Sequence, residues 1–239
     1  VPKMADMLTS TSITLGEAYM NGDIEIEGDL YTALNMFLGQ MGKFSTDKKK
    51  LKNIIFTSKS KANQKKEVSS HYDIGNDFYK MWLDETLSYS CGYFKNDNDT
   101  LYQAQCNKVD RILEKLNLSE NMTLCDIGCG WGFLLIEAAK KYKINGVGIT
   151  LSKEQKAKFE QRIKDEGLSE RLEVKLLDYR DLPKLNKKFD RVVSVGMIEH
   201  VGRGNYEEFM QCVKSVLKPG GIFVLHFISS LKEYPGDAW

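Results

Sequence analysis

Short apolar runs alternate with longer segments of helical periodicity from about residue 122 to the end of the chain. The apolar runs predict five strands, at Met122–Ile127, Asn145–Thr150, Leu172–Leu177, Asp190–Val195 and Ile222–Ile228. Strands separated by helices are typical of a parallel sheet with right-handed crossovers. The pattern therefore predicts an α/β fold, in which ligands bind at the carboxyl ends of the strands.

Helical segments lie between these strands. They are predicted at Phe133–Tyr142, from Ser152 to Glu166, and at Tyr206–Leu217. Ser152 followed by Gln155 resembles a capping box, and Gly167 is a typical helix stop. The residues Lys-Pro-Gly-Gly at 218–221 are predicted to end the last of these helices.

The first third of the chain has a different pattern. Apolar residues at helical spacing around Leu30, Leu34, Phe37 and Leu38 predict a small helical N-terminal domain at about 1–45. A basic linker follows at 46–66, and the main domain is expected at 67–239. Residues 43–66 contain nine Lys and one Asp. This composition favours a solvated linker, and the alternative is a basic arm that touches anionic lipid head groups.

Composition narrows the class of protein. The 239 residues can hold one α/β domain and a smaller unit, and a net charge of +1 gives no global field for nucleic acid. No apolar run is long enough to span a bilayer, and no signal peptide is visible. The five cysteines lack C-x-x-C spacing, so we expect reduced thiols, no metal site and a cytoplasmic location.

A glycine-rich turn joins the first predicted strand to its helix. It consists of Asp126 followed by Gly128, Gly130, Trp131 and Gly132. Glycine accepts positive φ and lets a ligand approach the backbone, so a strand, a glycine turn and a helix N-terminus form a nucleotide-type site. Asp126 is interpreted as a carboxylate that orients a cofactor amino group or the loop. The alternative is an acid that caps the loop amides.

Polar residues also follow the second and third strands. Thr150 and Leu151 lead to Gln155, whose amide can both donate to and accept from ribose hydroxyls, although it could serve only as a helix cap. Asp178 and Tyr179 stand where an acid and a stacking ring would bind adenine. The alternative for this pair is a turn acid and a core tyrosine.

Candidate acid–base groups follow the last two strands. Glu199 and His200 lie between two glycines after the fourth strand, which suits proton chemistry or a structural ion pair in a surface loop. His226 interrupts an apolar strand. A lone strand histidine is usually a core residue whose hydrogen bonds are satisfied. The alternative is a functional role, because this histidine lies near the carboxyl end of its strand and faces the same crevice as Glu199.

Two aromatic segments precede the sheet, at 71–79 and 87–93. They predict either a helical cap packed on the sheet or a lid that supplies a π-rich wall to a cofactor.

Taken together, these motifs resemble the cyclopropane-fatty-acyl-phospholipid synthase family, whose relatives include the mycolic acid cyclopropane synthases. The matching segments are His71–Tyr79, Tyr89–Cys91, Asp126–Gly132, Thr150–Gln155, Asp178–Leu182, Phe189–Gly202 and Leu225–Ile228. The resemblance implies a Rossmann-like, S-adenosylmethionine (SAM)-dependent methyltransferase sheet, mostly parallel, with helices on both faces and a small helical N-terminal domain. It also predicts that the C-terminal part of this sheet is missing from the chain.

The resemblance implies two groups of site residues. SAM would bind to Tyr89, Ser90, Asp126, Gly128, Gly130, Trp131, Gly132, Thr150, Leu151, Gln155, Asp178 and Tyr179. A bicarbonate pocket would be formed by Cys91, Glu199, His226 and Ile228, partly through backbone amides. The family also uses a tyrosine from a later segment, which we expect to be missing from this chain.

The implied reaction adds a methylene group from SAM across the cis double bond of a phospholipid acyl chain, and bicarbonate removes the proton. The protein is then expected to lie on the inner face of the membrane as a peripheral protein and to form a homodimer. The alternatives are a SAM-dependent C-methyltransferase that leaves a branched lipid and a SAM- or lipid-binding module without catalysis.

Overall fold

A computed structural model of the chain describes residues 11–41 and 76–229, and the chain divides into two compact units. The first unit comprises residues 1–57 and 230–239. Its described part contains the helices α1 (Thr11–Met20) and α2 (Leu30–Met41). The Asp29 side chain accepts a hydrogen bond of 2.7 Å from the backbone N–H of Thr32 and so caps the start of α2.

The second unit comprises residues 58–229. The described part has the helices α3 (Asn76–Lys80), α4 (Leu101–Leu116), α5 (Phe133–Tyr142), α6 (Lys153–Asp165), α7 (Ile198–Val201) and α8 (Tyr206–Val216). Its strands are β1 (Thr123–Ile127), β2 (Asn145–Thr150), β3 (Leu172–Leu176), β4 (Phe189–Val195) and β5 (Leu217–His226). Short 3-10 segments occupy Tyr179–Leu185 and Arg203–Asn205. The predicted linker at 46–66 and residues 71–75 lie outside the described residues.

The five strands form one sheet in the order β3-β2-β1-β4-β5, and every neighbouring pair is parallel. The chain builds outward from β1 to β3 and then returns to the other side of β1 with β4. The strand order therefore reverses between β1 and β4, and the carboxyl ends of these two strands border a crevice of the kind that binds ligands. The predicted α/β fold with a mostly parallel sheet is confirmed.

Apolar residues cover both faces of the sheet. One core cluster contains Leu124 together with the buried faces of α4, α5 and α6. A second cluster contains Cys125 and Ile127 together with α8 and the first 3-10 segment. Neighbouring residues of β1 thus point to opposite faces, as the pleat requires, and the central strand is buried on both sides.

Helix α4 is an element that the sequence patterns above do not predict. Thr100 and Gln103 form a reciprocal capping box at its start. Its buried face combines apolar side chains with two polar ones, Gln105 and Lys108. The buried apolar residues Val109, Ile112, Leu113 and Leu116 recur at helical spacing, so this helix could have been predicted from the sequence.

Two local predictions need correction. Ser152 caps α6 by accepting a hydrogen bond from the Gln155 backbone, but the Gln155 side chain accepts one from the Thr150 hydroxyl and does not complete a capping box. Strand β5 begins at Leu217 and includes 218–221, which were predicted as a helix-ending turn. Its pairing with β4 shifts register there, and it ends at His226, before the predicted end at Ile228. A proline is tolerated in a strand at the edge of a sheet or at a bulge, so this segment can extend the strand.

The turn after β1 depends on a close contact between Gly132 and the ring of Phe159. Gly132 has φ +84°, and a Cβ at this position would lie 2.0 Å from Cδ2 of Phe159. The Phe159 side chain is fully buried and belongs to the core of α6 and the sheet. A glycine is required here both by the backbone conformation and by the ring.

We predict that Phe159→Ala lowers the free energy of unfolding by about 3–5 kcal/mol, because it removes a fully buried ring from a packed core. Urea unfolding followed by circular dichroism measures this change. Met210→Ala serves as the control, since that side chain on α8 is 48% exposed, and a loss below about 1 kcal/mol is expected. Equal losses in the two variants would contradict the role of Phe159.

Candidate active site

A pocket lies at the carboxyl ends of β1, β2 and β4, and we call it the glycine-loop pocket. Its lining includes residues 126–134 and 195–197. The backbone amides of Gly128 and Cys129 both donate to the Ile149 carbonyl at 3.0 Å, which ties the loop to β2. A Cβ on Gly128 would meet the Met197 side chain at 2.7 Å, so this glycine lets the two loops approach each other.

Asp126 is the buried acid of this pocket. Its side chain is 3% exposed, and its Oδ1 atom has no hydrogen-bond partner within the described part of the chain. Burial raises the pKa of Asp126 to about 7. This unpartnered buried oxygen favours a role as acceptor of a hydrogen bond from a ligand. A cap of the loop amides would already occupy that oxygen.

Thr150 and Gln155 form a second polar edge of the pocket, with Leu151 between them in the lining. The Thr150 hydroxyl donates to Gln155 Oε1 at 2.7 Å and accepts from the Ser152 backbone N–H at 3.1 Å. The Gln155 Nε2 group therefore stays as the donor that a ligand hydroxyl could use.

Asp178 and Tyr179 lie at a third edge, and each is engaged with the protein. Arg180 binds both carboxylate oxygens of Asp178 at 2.8 Å. The Tyr179 ring belongs to the second core cluster. It packs edge to face against the ring of Phe209, with 5.3 Å between the ring centroids. Burial raises the pKa of Tyr179 to about 12, and its hydroxyl has no partner among the described residues. The arrangement favours the core-tyrosine alternative for the ring, although both residues line the pocket.

Aromatic side chains from the segment before the sheet cover one side of the glycine loop. The Tyr79 ring lies 5.0 Å from that of Trp131 and 5.8 Å from that of Tyr89, and Trp82 lies 5.0 Å from Tyr89. Trp131 Nε1 donates to Asn76 Oδ1 at 2.6 Å, which ties α3 to the loop. Tyr79 and Trp131 are buried together, and Tyr79 lines neither pocket described here, so their contact fits the alternative of a packed helical cap, while the lid over a cofactor stays a prediction.

A second pocket adjoins the first, and we call it the His226 pocket. It brings together Cys91, Glu199, His226 and Ile228, the four residues predicted for a bicarbonate site. Cys91 Sγ lies 3.9 Å from His226 Nε2, and the Ile228 backbone N–H donates to Glu199 Oε1 at 2.8 Å. The Ile228 amide is thus already bound by a carboxylate, and the side chain of Ile228 is 78% exposed.

His226 is half-buried at the base of this pocket. Its Nδ1 atom is buried and has no partner among the described residues. Burial lowers the pKa of His226, and the positive charge of Lys108 lowers it further. The imidazole is therefore neutral at pH 7 and keeps one nitrogen available for a ligand.

The two pockets share a wall formed by 88–90, and helix α4 holds that wall in place. Gln105 Nε2 donates to the backbone carbonyls of Ser88 and Ser90 at 3.2 and 2.9 Å. Lys108 Nζ donates to Ser90 Oγ at 2.7 Å and to Gln105 Oε1 at 2.5 Å. The sequence reasoning missed Gln105 and Lys108, and the signal that could have revealed them is their helical spacing on the apolar face of α4.

The geometry gathers every predicted site residue around the two pockets, while their individual roles stay predictions. The residues predicted to bind SAM line the glycine-loop pocket, and Tyr89 and Ser90 line both pockets. His200, which the sequence paired with Glu199 for proton chemistry, also lines both.

Comparison with known protein families agrees with this arrangement. The sequence profile of the family described as "Mycolic acid cyclopropane synthetase" matches residues 59–236. The profile of a domain of unknown function, DUF7884, matches residues 2–49.

Curated relatives extend the similarity over nearly the whole chain. The chain is 41% identical over 239 residues to cyclopropane-fatty-acyl-phospholipid synthase of Escherichia coli K12, covering 98% of this chain and 60% of the relative. It is 40% identical over 230 residues to a probable fatty acid methyltransferase of Pseudomonas putida, covering 96% of this chain and 58% of the relative. The chain therefore spans less than two thirds of the length of these relatives.

Solved structures show the same relationship. The cyclopropane synthase MmaA2 from Mycobacterium tuberculosis superposes with a TM-score of 0.67 at 38% identity, covering 70% of this chain and 58% of that one. Mycolic acid cyclopropane synthase CmaA1 complexed with SAH and CTAB gives a TM-score of 0.64 at 38% identity, covering 67% and 55%. Coclaurine N-methyltransferase, at 24% identity and a TM-score of 0.61, covers 82% of this chain and 62% of its own, and shows the shared fold. The chain belongs to the mycolic acid cyclopropane synthetase family and has the fold of the SAM-dependent methyltransferases.

Proposed function

We propose that the protein transfers a methylene group from SAM to the cis double bond of an unsaturated acyl chain of a membrane phospholipid, forming a cyclopropane ring. The observation that carries this proposal is the pair of adjoining pockets with Tyr89 and Ser90 in the wall between them. One pocket has a glycine loop and a buried acid. The other is lined by apolar and aromatic side chains around a thiol, an imidazole and a carboxylate.

The glycine-loop pocket suits SAM on three grounds. The unpartnered Oδ1 atom of Asp126 can accept from an ammonium group, and Gln155 Nε2 can donate to a hydroxyl. A Cβ on Gly130 would meet nothing within 4 Å, so the loop leaves open space beside the backbone. When bound, SAM supplies a methyl group on a sulfonium, which is a strong electrophile.

The His226 pocket suits an acyl chain and the cation that forms on it. Transfer of a methyl group to one alkene carbon leaves a carbocation at the other, and removal of a proton from the new methyl group lets the ring close. Trp82 and Tyr89 line this pocket, and aromatic faces stabilise cations. An acyl chain that fills this pocket would displace water, which would otherwise trap the carbocation.

Bicarbonate is proposed as the base that removes this proton, and the His226 pocket provides hydrogen-bond donors that could hold it. His226 Nδ1 is buried and unpartnered among the described residues, so it can bind an oxyanion if this nitrogen carries the proton. The Ile228 amide is a second donor, but Glu199 Oε1 now accepts from it. Glu199 and bicarbonate are both anions, so they can share this donor only if a proton lies between them.

Two alternatives belong to the same pocket pair. A SAM-dependent C-methyltransferase would leave a branched methyl group. The similarity to the probable fatty acid methyltransferase of Pseudomonas putida favours a fatty acyl substrate without specifying a ring. A non-catalytic SAM- or lipid-binding module would bind both ligands without turnover. Cys91 lies beside His226, and Glu199 lines the same pocket, which supports catalysis over simple binding.

We further propose that the protein works on the inner face of the membrane as a peripheral protein and as a homodimer. In residues 11–41 and 76–229 no helix is both long and apolar enough to cross a bilayer. Access to acyl chains would instead come from the surface, where exposed Trp82 and Ile228 line the mouth of the His226 pocket.

The direct test incubates unsaturated phospholipid vesicles with the full-length protein, SAM and bicarbonate, and analyses the lipids by mass spectrometry after ozonolysis. We expect acyl chains one CH₂ heavier that resist ozonolysis, because the ring removes the double bond. A heavier chain that ozone still cleaves would assign the C-methyltransferase. Unchanged lipid with SAM bound would assign the binding module.

We predict that Glu199→Gln abolishes turnover and leaves the dissociation constant for SAM within about twofold, because Glu199 lines the His226 pocket and not the glycine-loop pocket. Product mass and calorimetric titration give the two values. The control is Glu207→Gln, an exposed residue in the first turn of α8, which should leave both unchanged. Equal loss of turnover and SAM affinity would overturn the role of Glu199.

Binding of SAH should weaken as the pH falls below about 7. Asp126 has a pKa raised to about 7, so it is ionised above this pH and protonated below it, and only the ionised form attracts an ammonium group. The dissociation constant should rise about tenfold per pH unit well below the pKa, measured by calorimetry between about pH 5.5 and 7.5. Asp126→Asn should remove this dependence, while the exposed control Asp97→Asn should keep it. A wild-type dissociation constant that does not change with pH would contradict the assignment.

A further inference from the structure

Lys108 is a buried cation for which the described residues provide no carboxylate partner. Its side chain is 5% exposed, and it donates to two neutral oxygens, Ser90 Oγ and Gln105 Oε1. The nearby Asp84 carboxylate accepts instead from the Thr86 hydroxyl and backbone N–H, at 2.8 and 3.1 Å. A buried charge without a counter-ion is costly, so an anion bound beside Lys108 would be strongly stabilised.

Two of the charged side chains that line the glycine-loop pocket form an ion pair, and two others have no ion-pair partner among the residues of this lining. Apart from His200, the charged side chains of its described lining are Lys108, Asp126, Asp178 and Arg180. Asp178 and Arg180 bind each other through two hydrogen bonds. Lys108 and Asp126 are left as one buried cation and one buried anion, which complement a ligand that carries both an ammonium and a carboxylate group.

The hydrogen bonds of Lys108 also determine which neighbouring atoms accept and which donate. An ammonium group only donates, so Ser90 Oγ must accept from it, and the hydroxyl proton of Ser90 is left to donate elsewhere. The same argument orients Gln105, whose Oε1 accepts from Lys108 and whose Nε2 donates to the wall between the pockets. Lys108 therefore has one N–H and, through Ser90, one O–H to offer to an acceptor in the pocket.

We propose that Lys108 recognises the carboxylate of the amino-acid tail of SAM, directly through its remaining N–H and indirectly as the positioning residue that makes Ser90 a donor. This proposal rests on the proposed function only for the identity of the ligand. Burial lowers the pKa of Lys108 to about 8, so its amine is still charged at pH 7. With Asp126 on the ammonium group, the two side chains set the direction in which the tail enters the pocket.

The test compares two probes by calorimetric titration: SAH, and its decarboxylated analogue, which keeps the amine and lacks the carboxylate. Lys108→Met should weaken SAH binding about 10- to 100-fold, as expected for a charged hydrogen bond, and change binding of the analogue by less than about twofold. Lys108→Arg should restore part of the SAH affinity, because it keeps the charge. Lys115→Met is the matched control, an exposed lysine on the same helix, and should bind both probes as the wild type does.

A second variant keeps the proposal testable if Lys108→Met does not fold by circular dichroism. Ser90→Ala removes only the hydroxyl and should weaken SAH binding several-fold without changing binding of the analogue. Equal loss of affinity for both probes would show that Lys108 only supports the wall, and unchanged affinities would show that it does not face the tail. A change confined to the bicarbonate dependence of turnover would place its anion in the other pocket. Each of these three results overturns the proposal.

Failure of this inference and failure of the proposed function are distinguishable. Discrimination between the two probes is a binding measurement and needs no lipid product. If the probes behave as expected while vesicles yield no ring, the inference stands and the proposed reaction does not. If rings form while Lys108→Met binds SAH normally, the reverse holds.

Discussion

The parallel pairing of β1 with both β2 and β4 is the constraint on which the site depends. Because all three strands run the same way, their carboxyl ends and the loops that follow meet at one edge of the sheet. Strand direction alone therefore brings three segments together: the glycine loop after β1, the polar residues after β2 and the Glu199 segment after β4. The buried acid near the end of β1 has its charge in the middle of this edge, where burial raises its pKa.

The site also depends on elements outside the sheet. Helix α4 and the loop before it close the edge, and their contact depends on a small buried polar network from Gln105 and Lys108 to Ser88 and Ser90. A single stretch of chain, residues 88–90, thus lies between the glycine-loop pocket and the His226 pocket. Chemistry that joins a charged cofactor to a lipid alkene needs such a division, since one partner requires hydrogen bonds and the other requires dry surroundings.

The sequence reveals the sheet and much of the site because the signals are local. The strand runs, the glycine turn and the acids at strand ends are each visible within a few residues, and the family resemblance joined distant ones such as Cys91 and His226. What it missed depends on tertiary contacts. Lys108 resembles an ordinary helical lysine until α4 packs, and Tyr179 resembles a stacking ring until Phe209 is placed against it. The extension of β5 to Leu217 likewise depends on pairing with Phe189, which no local rule supplies.

The central claim is that the cofactor and the alkene meet across the wall formed by residues 88–90. A crystal structure of the full-length protein with SAH and bicarbonate tests it most directly. We expect the SAH tail between Asp126 and Lys108, its sulfur facing Tyr89 and the His226 pocket, and an oxyanion bound to His226. An SAH sulfur directed away from that wall, or an anion bound outside the His226 pocket, would contradict it.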